Sequence, residues 1–242
     1  MEYAQYCEAI RREGRALHAA AGAAGVDAPV PSCPEWRVAD LLAHVGRLHR
    51  WIAGIVEGGG DHPSDHWSDA EPPPEAERLA WFAGGVELVT DTLLQAEPST
   101  PAWSWTDDAT AGFWARRQAN ETAVHRWDAQ SAAGTTEPIE RDLAVDGIDE
   151  FFALIPFWRG ASQLPGGGES IHLHATDGEG EWLVRLGTDG LVVSREHAKG
   201  DVALRAPASQ LLLFLYGRAG TDGAEVFGDA TLLDRWQELV RW

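Results

Sequence analysis

Cysteine, lysine and long apolar runs are all scarce in this chain, and each shortage narrows what it can be. Only Cys7 and Cys33 are present, which excludes a disulfide framework and leaves no CxxC metal motif. A reducing, cytoplasmic setting is expected. No run approaches the roughly 18 apolar residues that a membrane-spanning helix needs. The opening segment MEYAQYCEAIRREGRALHAAAG has acidic and basic residues inside its apolar pattern, so it reads as an amphipathic helix and not as a secretion signal. Lys199 is the sole lysine among 19 basic residues; with abundant alanine and glycine, that arginine bias points to a GC-rich bacterial genome. Positive charge is short overall. The formal net charge of −19 is spread through the chain and would repel a nucleic-acid backbone or an anionic bilayer, so neither is expected as a partner.

What the chain does have is the profile of a globular protein. Its 242 residues, 44% hydrophobic and 24% charged, suffice for two compact units. Residues 3–22 carry Tyr3, Tyr6, Ile10 and Leu17 at helical spacing, which predicts a first helix. The loop AGVDAPVPSCPEW holds Pro29, Pro31 and Pro34, and the nearly continuous apolar stripe that follows predicts a second helix over 36–57, ended by three glycines. Residues 58–74, rich in Gly, Asp and Pro, read as a surface loop. A third helix is expected over 75–96 despite Gly84 and Gly85, and a fourth in FWARRQANETAVHRWDAQSAAG, after a Trp-rich loop. Four such helices imply a bundle whose core can hold a metal. The pattern changes near residue 138. Residues 141–154 predict one more helix, ESIHLHATD, EWLVRLG and GLVVSRE alternate as antiparallel strands, and PASQLLLFLYGR and DATLLDRWQELVRW close the chain as helices. The expected class is α+β: a four-helix bundle over 1–138 and a small α+β domain with an antiparallel sheet over 139–242.

Chemistry concentrates in the bundle. Glu121 and His125 stand four residues apart on the fourth helix, so a carboxylate and an imidazole project from one face. His44 lies in the second helix between Leu41, Leu42 and Val45, facing the interior or a pocket, and is the natural third ligand. Two histidines and one carboxylate with a fourth position open describe a catalytic zinc site and also suit iron, nickel or manganese. By spacing alone a hydrogen-bonded core histidine fits these positions as well, and His18, His49, His62 and His66 compete as ligands. Cys33 reads as a packed corner, Arg126 and Asp128 as solvated ions, and His172 and His174 as a surface pair lacking a third ligand. The Trp-rich loop 98–111 and the loop 58–74 are expected to border the metal-bearing end.

The stretches SCPEWRVADLLAHVGRLHRW and NETAVHRWDAQSAAG, with ASQLLLFLYGR and DATLLDRW further on, resemble the mycothiol-dependent maleylpyruvate isomerase family of actinobacteria over nearly the whole chain. The resemblance implies a DinB-like helical bundle joined to a domain like the sterol carrier proteins. It also implies a metal, zinc in the family, on His44, Glu121 and His125. Mycothiol would be the co-substrate: a metal-activated thiolate adds to a conjugated cis double bond, permits rotation and leaves, or in a transferase stays attached. Arg218, in FLYGR, falls where the family motif has an arginine reaching the active-site cleft. Its guanidinium suits a carboxylate of an anionic electrophile or the thiol's polar groups; the plainer role is a helix-terminal cation. A thiol-independent metal hydrolase and a non-catalytic binding protein with a structural metal are the alternatives. The substrate and oligomeric state are not encoded in these motifs.

Overall fold

A computed structural model describes residues 1–60, 70–159, 166–188 and 190–240, in two compact units, Met1–Glu137 and Pro138–Trp242. His62 and His66 and most of the expected loop at 58–74 lie outside the described residues. No described helix is long and apolar enough to cross a membrane.

The first unit contains α1 (Tyr3–Ala24), α2 (Val38–Glu57), a short 3-10 turn (Glu75–Glu77), α3 (Arg78–Gln95) and α4 (Ala111–Ala132). α1 packs mainly on α4 and α2 mainly on α3, while contacts of α1 with α3 and of α2 with α4 close the ring. Leu17, Leu41, Leu42, Val45, Phe82 and Val86 form part of the buried core. Leu41, Leu42 and Val45 are the apolar neighbours that the sequence places around His44, and their burial turns that stretch of α2 inward. α1 stops at Gly25, whose φ of 85° is open to glycine. Gly85 in mid-α3 costs helix propensity but leaves room for Arg50: a Cβ there would come within 2.5 Å of the guanidinium. That guanidinium lies 4.0 Å over the Trp81 ring and donates to the Trp81 carbonyl at 2.6 Å.

Two charged residues of α4 expected in solvent are buried instead. Arg126 is 3% exposed and Asp128 fully buried. Arg126 donates through Nε to Glu13 of α1 at 2.8 Å and through Nη1 to Gln130 Oε1 and to the Glu137 carbonyl, both at 2.6 Å. The large α1–α4 contact encloses Arg126, and a buried guanidinium requires this saturation with acceptors.

The second unit contains α5 (Arg141–Arg159), strands β1 (Ser170–Ala175), β2 (Glu181–Gly187), β3 (Gly190–Ser194) and β4 (Val202–Ala206), α6 (Ala208–Leu215), β5 (Glu225–Gly228) and α7 (Thr231–Leu239). α5 runs past Pro156, beyond the expected end near 154, although the proline lacks the N–H for one ladder bond. The sheet order is β3-β2-β1-β4-β5. All pairings are antiparallel except β1 with β4, which is parallel. The sheet is therefore mixed, and the β3–β4 connection, residues 195–201, has to cross β2 and β1 to reach the far side. Trp182 donates to Asp149 of α5 at 2.7 Å, and Phe151 contacts Tyr216 and Trp236 at ring separations of 4.9 and 6.1 Å, so the apolar sheet face and the helices share one aromatic core.

Candidate metal centre

The site starts with the proline-rich loop before α2. Val30 N–H donates to the Trp36 carbonyl at 2.9 Å and Val38 N–H to Ala28 at 2.9 Å, folding VPSCPEW into a compact turn. Asp40 then caps α2 by accepting from Arg37 N–H at 2.9 Å. α4 begins at Thr110, whose hydroxyl oxygen accepts from Phe113 N–H at 3.2 Å. These starts set the rotation of two facing helices.

His44 of α2 and Glu121 and His125 of α4 meet. Glu121 Oε1 lies 3.3 Å from His44 Nε2 and 3.1 Å from His125 Nε2, and one ligand atom from each of the three falls within 4.8 Å of the others. Bonds of about 2.0–2.1 Å at tetrahedral angles put neighbouring ligand atoms about 3.3 Å apart, so this spacing fits a divalent metal. The proton arrangement fits as well. His125 Nδ1 is 2.8 Å from Asp128 Oδ2; a carboxylate only accepts, so Nδ1 is a donor, and Nε2 on the other side of the ring is the atom turned toward Glu121. Glu121 Oε2 is held by the Arg117 guanidinium.

Sequence reasoning missed the groups that orient this set. Asp128 also accepts from the Ser32 hydroxyl at 2.5 Å and from the Cys33 thiol at 4.0 Å, so Cys33 belongs to the support of His125. Trp36 lies 4.9 Å from the His44 ring and stacks 6.0 Å from His125. The available signal was the i, i+3 spacing of His125 and Asp128. Of the competing histidines, His49 is buried against Phe82 with Nε2 3.2 Å from the Thr122 hydroxyl. Burial, with smaller contributions from Arg50, His44 and His125, pushes its pKa down to about 3; it stays neutral and outside the ligand cluster. His18 is outside the cluster too. Trp51, Trp103, Trp105 and Trp114 form an aromatic cluster with ring separations of 5.0–6.1 Å. Trp51 and Trp114 stand seven residues from His44 and Glu121 respectively, about 10 Å along the helices. The loop next to the three ligands is thus the one carrying Ser32 and Trp36, while the Trp-rich loop packs two turns away.

Arg218 lies in the second unit, three residues past the end of α6. Gly217 at φ 69° lets its own N–H reach Phe214 O at 3.0 Å and Arg218 N–H reach Leu213 O at 2.8 Å, a Schellman ending. The Arg218 guanidinium donates to the Tyr216 carbonyl at 2.9 Å, a helix-end contact.

Exchanging Asp128 for asparagine tests the orienting role. An amide can donate to Nδ1 and so shift the His125 proton to Nε2, where it blocks a metal. Metal affinity of Asp128→Asn is expected to fall about 10–100-fold, measured by competition with a chromophoric chelator. An unchanged affinity would show that Asp128 only fills space.

Fold and site together define a helical-bundle protein with a His–Glu–His group that could hold a metal ion, continued by an α+β unit. More specifically, the chain belongs to the mycothiol-dependent maleylpyruvate isomerase family: residues 7–130 match the family model described as the mycothiol maleylpyruvate isomerase N-terminal domain, and residues 142–235 match the MDMPI C-terminal domain. Among solved structures, the chain resembles the mycothiol-dependent maleylpyruvate isomerase at 11% identity and a TM-score of 0.63, with 93% of each chain covered. A mutant of that isomerase gives 10% identity, a TM-score of 0.65 and the same 93% coverage of both chains. At these identities the likeness is one of fold. No curated protein matches the sequence.

Proposed function

We propose that this protein is a mycothiol-dependent metalloenzyme of the maleylpyruvate isomerase type, acting on a small electrophilic organic acid by cis–trans isomerisation or by thiol transfer. The observation that carries the reading is the convergence of His44 Nε2, Glu121 Oε1 and His125 Nε2, in a chain whose family model is named for that activity. Three protein ligands suit a catalytic site, because structural zinc sites close with four. A divalent metal bound there supplies Lewis-acid stabilisation of a thiolate at neutral pH. The chain's own groups do the rest. Asp128 keeps the His125 proton on Nδ1, Arg117 steadies Glu121, and Trp36 covers the two imidazoles on one side. The fork of the Arg218 guanidinium binds the carboxylate of the acid or the polar groups of the thiol.

The test is turnover of a panel of cis-enedione acids and neutral electrophiles, with and without mycothiol. Turnover that requires the thiol is expected; turnover indifferent to it would replace this reading with a metal hydrolase. In the same panel, Arg218→Ala is expected to lose at least about tenfold more activity on carboxylated than on neutral substrates, as befits a charged hydrogen bond worth about 1.5–3 kcal/mol. Equal losses would contradict carboxylate binding.

A further inference from the structure

A second group of possible ligands stands in the α+β unit and shares no residue with the His44, Glu121 and His125 group. His172 and His174 alternate on β1 and therefore share one sheet face. Glu181 of β2 is the cross-strand partner of His174 and joins that face. Trp182, one residue on, points the opposite way, toward Asp149 of α5. The connection from β3 to β4 passes over this face because β4 pairs on the far side of β1, and it brings His197 with it. Glu181 Oε1 lies 2.9 Å from His174 Nδ1, and Oε2 lies 3.3 Å from His172 Nε2 and 2.7 Å from His197 Nδ1. The three imidazole rings are 5.6–6.3 Å apart, and one ligand atom from each of the four residues falls within 4.8 Å of the others.

We infer that His172, His174, Glu181 and His197 form a binding site for a divalent transition metal, separate from the bundle centre. Three imidazoles and one carboxylate suit zinc, copper, nickel or cobalt, whereas calcium and magnesium prefer all-oxygen shells. Four protein ligands make a closed tetrahedral site of structural kind, unlike the three-ligand centre of the bundle. The spacings of Glu181 to the three imidazoles are close to the roughly 3.3 Å between ligands on a tetrahedral metal, and the four ligand atoms lie within 4.8 Å of one another, so loading draws the imidazoles in toward a common centre. The protonation states suit it. Burial lowers the pKa of His172 against the opposing pull of Glu181. Burial raises that of Glu181, but its hydrogen bonds to His197 and His172 and the charges of His197 and His174 outweigh this and hold it below the usual carboxylate range. A neutral imidazole at His172 and an ionised carboxylate at Glu181 are the forms that ligate a metal. The metal's effect follows from the connectivity: it ties the β3–β4 connection to the β1–β2 hairpin, and its binding energy becomes folding energy of this unit.

The experiment uses the untagged full chain, stripped with a chelator and titrated with cobalt(II). Bound metal is counted by equilibrium dialysis and coordination is read from the visible d–d bands. Wild type is expected to bind two equivalents, and His44→Ala/His125→Ala and His172→Ala/His174→Ala one each. The exposed variant His197→Ala, which leaves both strands intact, is expected to bind at the second site at least tenfold more weakly with an unchanged circular dichroism spectrum, so the result does not depend on how the buried variants fold. Cobalt is also expected to raise the melting temperature of the His44→Ala/His125→Ala protein. Wild-type stoichiometry in His172→Ala/His174→Ala, or no cobalt bound by His44→Ala/His125→Ala, would overturn the second site. Failure of the bundle reading alone gives a different pattern: one equivalent in wild type, kept in His44→Ala/His125→Ala and lost in His172→Ala/His174→Ala.

Discussion

Alanine in place of His125 is expected to weaken metal binding at the bundle centre more than about 100-fold, because losing a ligand exceeds the 10–100-fold cost of losing an orienting partner. Thiol-dependent turnover should fall roughly a thousandfold, since a Lewis acid contributes several kcal/mol and each 1.36 kcal/mol is a factor of ten. The expectation rests on three ligand atoms meeting on one side of Glu121, where the remaining pair, His44 and Glu121, makes only one contact of 3.3 Å. His18→Ala is the control, since His18 stands outside the ligand cluster and should leave metal content and rate unchanged. Elemental analysis and initial rates on the same samples decide the matter. His125→Ala retaining wild-type affinity for the metal would remove the bundle centre from consideration.

Glu13→Ala is expected to destabilise the first unit by about 3–5 kcal/mol, the usual cost of stripping the partner from a buried charge, and to lower its melting temperature by roughly 10 °C or more. Glu13 is 5% and Arg126 3% exposed, and Arg126 Nε has Glu13 as its acceptor at 2.8 Å. A surface ion pair such as that of Arg15 with Glu87, both substantially exposed, should contribute less than about 1 kcal/mol. The diagnostic comparison is the double variant Glu13→Leu/Arg126→Met, which should be more stable than Glu13→Ala because no charge is left buried alone. Gln130 still accepts from Glu137 N–H at 3.0 Å there. Denaturant unfolding with a Glu13→Ala loss below 1 kcal/mol would mean that water reaches Arg126.

Helical periodicity reports which face of a segment is buried, and that is a local property. It was enough to find the four bundle helices and the change to an α+β pattern after them, and to single out His44, Glu121 and His125 as candidates that the fold brings together. The same locality explains the misreadings. Asp128 and Arg126 carry charge, and single-residue chemistry places charge in water; Ser32, Glu13 and Gln130 remove that requirement, and Ser32 and Glu13 come from segments about a hundred residues earlier in the chain. β4 and β5 span five and four residues and are held by pairing with β1 and with each other, which is not a local property. His172 and His174 lacked a third ligand as a linear motif. Glu181 reaches them through strand register and His197 through a crossover that exists only because β4 pairs parallel to β1.

The sequence by itself determined the four bundle helices and the positions of His44, Glu121 and His125 on two of them, since residue chemistry and a 3.6-residue period are written along the chain. Only the tertiary structure decided how His125 is oriented and that a second group of four candidate ligands exists. Both depend on atoms brought within about 3 Å by pairings across the fold, and no spacing along one segment records such a pairing.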